Sequence, residues 1–203
     1  MDVKVFKLKI ISISKKGHKM QKLTRLFIIA LFGSIIFVIN VFLPPPINYL
    51  LMVVQAVLLA LSALFIRKIG ASYVGALGGL LTALGNPSLG PFTFFFAFLF
   101  GVLVDASLLA FRIRASTEGV NRNRLITAMA FSTLFIAVIT YSTFVIVPQA
   151  MAGSEGFSNL GLFIPRSPVV DMLVIFMGTV SGAVAGYAAA YLWNRCLRNI
   201  YVR

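Results

Sequence analysis

Six apolar stretches, residues 25–43, 47–66, 70–85, 90–111, 125–147 and 169–193, take up most of this 203-residue chain. A helix needs roughly 20 apolar residues to cross the hydrocarbon of a bilayer. A spanning segment must also satisfy its own backbone polar groups there. The stretches therefore predict an all-α integral membrane protein of six transmembrane helices, with basic tails at 1–24 and 194–203 and no room for a second globular domain. Only 11% of the residues are charged, too few to cover a water-soluble fold of this length.

The charge pattern orients this bundle. Of the 18 Lys and Arg residues, all but Arg166 fall before or at the start of the first stretch, after the second, after the fourth or after the sixth. These positions share one side if the chain crosses the membrane six times. Lys and Arg are retained in cytoplasmic loops, so both termini are expected in the cytoplasm of a multi-pass cell-membrane protein. The net charge of +13 is thereby accounted for as topology and lipid contact. Nucleic acid is not an expected partner, because no nucleic-acid-binding fold signal accompanies the charge. The first apolar run ends in Pro44-Pro45-Pro46 without a small-residue cleavage site and reads as a retained span, with Met20 as an alternative start.

Catalytic chemistry finds little to work with. One cysteine, Cys196, and one histidine, His18, exclude a disulfide within the chain and a metal site built from Cys and His. His18 precedes the first span, which removes Ser-His hydrolysis in the membrane. Asp105 and Asp171 fall near opposite membrane faces, too far apart for paired-carboxylate catalysis. No catalytic residue, metal site or cofactor is assigned. Asp105 is expected in a structural ion pair or at a partner subunit, Asp171 as a helix N-terminal charge or a ligand contact, and Trp193 as an interfacial anchor.

Small residues recur at helical spacing. Gly178, Gly182 and Gly186 form a four-residue ladder on the sixth span, and Ala30, Gly33 and Ser34 cluster on the first. Such stripes let helix backbones approach where no hydrophobic effect drives association. The ladder is expected to pack inside the molecule. For the first span, internal packing and partner docking both remain open. The third span, rich in glycine, is expected to be packed among its neighbours.

The first span's Ala30-Leu31-Phe32-Gly33-Ser34, the stretch Gly75-Ala76-Leu77-Gly78-Gly79-Leu80-Leu81-Thr82, and the segment Phe98 to Asp105 together resemble the substrate-binding S component of energy-coupling factor (ECF) vitamin transporters. The family often has Ala at both small positions of the first helix, so Ser34 departs from it. The resemblance implies a compact six-helix bundle that captures a small vitamin or precursor from outside. A transmembrane T component and two ATP-binding subunits would then drive uptake, with Ala30, Gly33 and Ser34 on the docking face. The chain has no G-x-x-x-x-G-K-[ST] phosphate loop, in keeping with that division of labour.

Candidate ligand-binding residues are the polar groups of the outer half: Asn40, Asn48, Asn86, Tyr141 and Asp171, with Glu155, Asn159 and Arg166 in the outer connection 148–168. That connection reads equally as a lid or as a plain linker. Phe92, Phe94, Phe95, Phe96 and Phe144 lie on the same side and would suit a flat heterocycle. With Arg166 as the lone outer cation, neutral or cationic heterocycles such as thiamine or its pyrimidine precursor fit better than a polyphosphate. The competing readings are a small secondary transporter or channel, which needs a polar path through the midplane, and a non-catalytic membrane assembly protein.

Overall fold

The computed structural model describes residues 3–42, 51–66, 69–85, 90–113, 119–150 and 168–197. Side chains are described for residues 23–42, 51–66, 69–85, 91–113, 119–143, 168–169 and 171–197. The described residues form an all-helical protein without strands. Its helices are α1 (Val3–Phe42), α2 (Met52–Ile66), α3 (Gly70–Gly85), α4 (Gly90–Ala110), α5 (Arg122–Ala150) and α6 (Pro168–Leu192), the last continued by a π turn (Trp193–Leu197). The basic N-terminal segment is not a separate tail but the first half of α1.

Among the described residues, four segments are long and apolar enough to cross a membrane: Leu23–Phe42, Pro91–Ala110, Arg122–Thr143 and Asp171–Leu197. Helices α2 and α3 are shorter, with 15 and 16 residues. At 1.5 Å per residue they reach about 22–24 Å, short of the roughly 30 Å hydrocarbon layer. The exterior of the bundle is apolar, with Phe27, Leu109, Met172 and Phe176 all more than 60% exposed. That surface suits lipid and marks a membrane protein.

The shortest helix lies at the centre. Helix α2 touches α1, α3, α4, α5 and α6, and its Ala56, Leu59, Ala60, Leu61, Ala63, Leu64 and Ile66 are buried. Apart from Gln55 and Ser62 this helix is apolar on all sides, which suits such a position. Its Ser62 is fully buried and donates to the Leu59 carbonyl at 2.7 Å, so no polar group is stranded there.

Glycines set the remaining seams. A Cβ on Gly79 would meet Ala97 Cβ at 2.8 Å, and one on Gly75 or Gly101 would run into the backbone carbonyl of Ala97 or Ala71, so α3 and α4 pack antiparallel in backbone contact. Gly33 faces Leu77 and Gly85 faces Val41, so α1 runs parallel to α3. On α6, Gly178, Gly182 and Gly186 abut Ala137, Met129 and Ile126 of the antiparallel α5. Alternating directions gather the start of α1, α3 and α5 and the finish of α2, α4 and α6 at one pole, here termed the basic end.

Several local devices close that end. Helix α4 stops in a Schellman motif: Ile113 N–H donates to the Leu108 carbonyl at 2.9 Å and Arg112 N–H to the Leu109 carbonyl at 3.0 Å. Arg112 takes the left-handed position at φ 51°, where glycine is usual. Asn121 starts α5 as its N-cap, accepting from Arg124 N–H at 3.3 Å. The Asn194 amide then clamps the connection, accepting from Val120 N–H at 2.8 Å and donating to the Val120 carbonyl at 3.1 Å. Gly119, at φ 112°, makes room for it, since a Cβ would lie 2.7 Å from Asn194 Oδ1.

Trp193 corrects an expectation. Rather than anchoring at the interface, it is 1% exposed and packs edge-on against Phe65 of α2, with ring centroids 5.1 Å apart. Trp193 continues the buried stripe of Gly182, Ala185, Gly186, Ala189 and Ala190 at α-helical spacing, and the π turn begins at this residue.

Candidate functional site

Polar side chains far from the basic end meet in two pairs. On α5 and α6, Tyr141 Oη donates to Asp171 Oδ1 at 2.6 Å. On α1 and α2, Gln55 Nε2 donates to Asn40 Oδ1 at 2.5 Å. All four residues are half-buried. Both pairs sit where their helices approach the connections 43–50 and 151–167.

Each pair keeps hydrogen-bonding capacity. A carboxylate has two acceptor oxygens and the tyrosine engages one of them, so Asp171 can still receive a donor or cation. Asp171 lies in the first turn of α6, where the helix dipole also favours its charge. The Asn40–Gln55 pair retains amide donors on Asn40 and the carbonyl oxygen of Gln55. Together the four side chains offer a negative charge, neutral donors and neutral acceptors.

Three of the candidates named from sequence are thus placed differently from the rest. Asn40, Tyr141 and Asp171 have partners across helix boundaries, whereas Asn48, Asn86, Glu155, Asn159 and Arg166 lie outside the described residues. Gln55 was missed. Its signal was available: Gln55 and Ser62 are the polar residues of the otherwise apolar Met52–Ile66. The aromatic expectation divides. Phe92, Phe94 and Phe95 are exposed on the bundle exterior, while Phe96 packs against the core; the Phe144 side chain lies outside the described set.

Several hydroxyls deeper in the bundle are satisfied within their own helices. Thr82 donates to the Gly78 carbonyl, Ser132 and Thr133 to that of Met129, and Ser181 to that of Gly178. Hydroxyls bonded back in this way line no polar path of their own.

Asp105 also departs from expectation. Instead of an ion pair, its carboxylate takes up the N-terminus of α3: Ala71 N–H donates to Oδ1 at 3.2 Å, and Ser72 N–H and Oγ–H donate to Oδ2 at 2.8 and 2.6 Å. Gly101, one turn earlier on the same face, brings the α3 backbone within reach. The orphan N–H groups of α3 answer the carboxylate that α4 buries.

On α1, Ala30 and Ser34 are exposed and share a face, since they are four residues apart. Gly33, expected beside them on a docking surface, points inward. A Cβ there would meet Leu77 Cδ2 at 3.0 Å, so Gly33 belongs to the α1–α3 seam. Among the described residues no group of three or more His, Cys, Asp or Glu side chains is placed to hold a metal. Compared with known proteins, the chain matches no family model, no curated protein and no solved structure.

Proposed function

We propose that this membrane protein is the substrate-binding subunit of an ECF-type importer. Its six helices cross the cell membrane with both termini in the cytoplasm, and it takes up a small vitamin or precursor from outside for ATP-driven transport by partner subunits. The observation that carries this reading is the Tyr141–Asp171 pair, half-buried between α5 and α6 at the pole remote from the basic end. A binding subunit needs polar groups that converge at one end of a closed apolar bundle, and Asn40 and Gln55 add a second such pair. The exposed Ala30–Ser34 face of α1 supports a docking role beside the T component. The carboxylate favours a cationic or donor-rich heterocycle, of which thiamine and its pyrimidine precursor are examples.

Self-satisfied hydroxyls in the bundle interior weigh against a stand-alone channel or secondary transporter, which would need a polar route across the midplane. The test is purification with and without ECF partner subunits, followed by thermal-shift screening against vitamins and their precursors. Co-purification together with stabilisation by one compound is the expected result. Neither partner retention nor stabilisation across the panel would overturn the proposal. Ala30→Trp and Ser34→Trp should block partner retention while sparing ligand binding; retention unchanged by both would remove that face as the docking surface.

A further inference from the structure

Two arginines at the basic end are held by tyrosine rings. The Arg122 guanidinium lies over the Tyr187 ring, 4.1 Å from its centroid, and that of Arg195 lies 5.4 Å from the centroid of Tyr191. Arg195 Nη1 also donates to Tyr191 Oη. The two rings are four residues apart on α6, about 6 Å along the helix. The ring face seats the Arg122 guanidinium and the Tyr191 hydroxyl holds that of Arg195, which leaves other N–H groups of each available to an anion.

The backbone around these cations is built to hold them. The Asn194 clamp on Val120 ties the residue before Arg195 to the start of α5, two residues ahead of Arg122. Arg122 and Arg124 occupy the first turn of α5, the positive end of its dipole, which disfavours cations. Neither described carboxylate offsets this: Asp105 is engaged by α3, and Asp171 sits at the other pole. An outside anion would relieve the repulsion.

Apolar surface leads away from the arginines. Val180, Val184, Tyr187 and Tyr191 are exposed and recur at three- and four-residue intervals, making one stripe along α6. We infer that Arg122 and Arg195, seated on Tyr187 and Tyr191, form a site for the phosphate of an anionic phospholipid, with an acyl chain lying along Val184 and Val180. Charge-assisted hydrogen bonds of about 2.8 Å from each side let one phosphate bridge the two guanidiniums. The stripe is what selects a lipid over free phosphate, which has nothing to place there. This site is independent of the importer reading.

Native mass spectrometry of the purified full-length protein, titrated with phosphatidylglycerol, phosphatidylcholine or inorganic phosphate, tests the inference. Phosphatidylglycerol should bind more tightly than phosphatidylcholine. Arg122→Gln and Arg195→Gln should each weaken it about fivefold, the effect of one basic residue at an anionic surface. Lys15→Gln with Lys16→Gln removes two charges from α1, one more than either arginine change, and should weaken binding less than either because those lysines lie outside the tyrosine-seated pair. Arg122→Lys, which keeps the charge but loses the planar stack, covers the case in which a glutamine variant fails to fold; it should bind more weakly than wild type. Glu118, outside the described residues, enters the series as Glu118→Gln, which should bind no less tightly. Equal binding of the two lipids, an equal loss in the Lys15/Lys16 variant, full binding by Arg122→Lys, weakening by Glu118→Gln, or competition by inorganic phosphate as effective as lipid would each overturn the site.

Discussion

Replacing Asp105 with alanine removes the side chain that joins α4 to the start of α3. Three hydrogen bonds disappear, from Ala71 N–H, Ser72 N–H and the Ser72 hydroxyl. Bonds to a charged acceptor contribute about 1.5–3 kcal/mol each, but these three share one carboxylate and will not add in full. Truncating a helix-capping side chain alone costs about 0.5–2 kcal/mol. Asp105 is only 8% exposed, so water cannot readily replace it. The expected loss of stability is therefore about 2–4 kcal/mol. Asp105→Asn keeps one oxygen but turns an amide donor toward the N–H groups, and should recover no more than about half of that. Gly101→Ala attacks the same junction from the backbone side, since its Cβ would lie 2.8 Å from the Ala71 carbonyl carbon and 2.9 Å from Ser72 Cα. The two losses should overlap, with a coupling of about 1 kcal/mol or more. The assay is unfolding of the purified protein in mild detergent by SDS titration, followed by circular dichroism. An Asp105→Ala protein within about 0.5 kcal/mol of wild type, or full additivity with Gly101→Ala, would mean that the carboxylate does not hold this junction.

Three further outcomes follow from the packing and the local geometry. Gly182→Ala should lower stability by about 1–3 kcal/mol in the same titration, because the new Cβ would sit 2.5 Å from the Met129 carbonyl oxygen and 2.7 Å from Ala130 Cα. Arg112→Gly should raise stability by about 1 kcal/mol by relieving the left-handed backbone at φ 51°, with circular dichroism of the folded state unchanged. Gln55→Leu should cost about 1 kcal/mol through loss of the Asn40 bond, and Asn40→Leu made in the same protein should cost little more.

Helices were legible because the local signals agree. Apolar runs end at Gly70, at the Gly85 to Pro91 segment and beside Pro168, and these residues punctuate helices for steric reasons. The glycines of α3 and α6 announced close packing, though not which neighbours they would meet. What could not be read depends on tertiary phase. Asp105 and Arg112 share a face by spacing, yet the carboxylate binds a backbone 33 and 34 residues away. Spacing likewise grouped Gly33 with Ala30 and Ser34, although a rotation of one residue turns Gly33 onto α3. Trp193 suits an interface by residue type, yet it extends at helical spacing the stripe of Ala185, Ala189 and Ala190, and only the packing shows that this stripe faces inward. Of the candidate site, Tyr141 and Asp171 were both chosen for their depth and residue type. Their mutual bond required knowing that α5 and α6 pack antiparallel through a glycine ladder.

Binding of a small ligand through Asp171 and Tyr141, at the pole remote from the basic end, can be read from ligand-induced stabilisation of wild type, Asp171→Asn and Tyr141→Phe. A ligand selective for the folded protein adds about 4 kcal/mol at a thousandfold excess over Kd. That shift is expected in wild type, with its near loss in Asp171→Asn and a smaller reduction in Tyr141→Phe, all three proteins being folded. A compound that stabilises Asp171→Asn as strongly as wild type would contradict binding through Asp171.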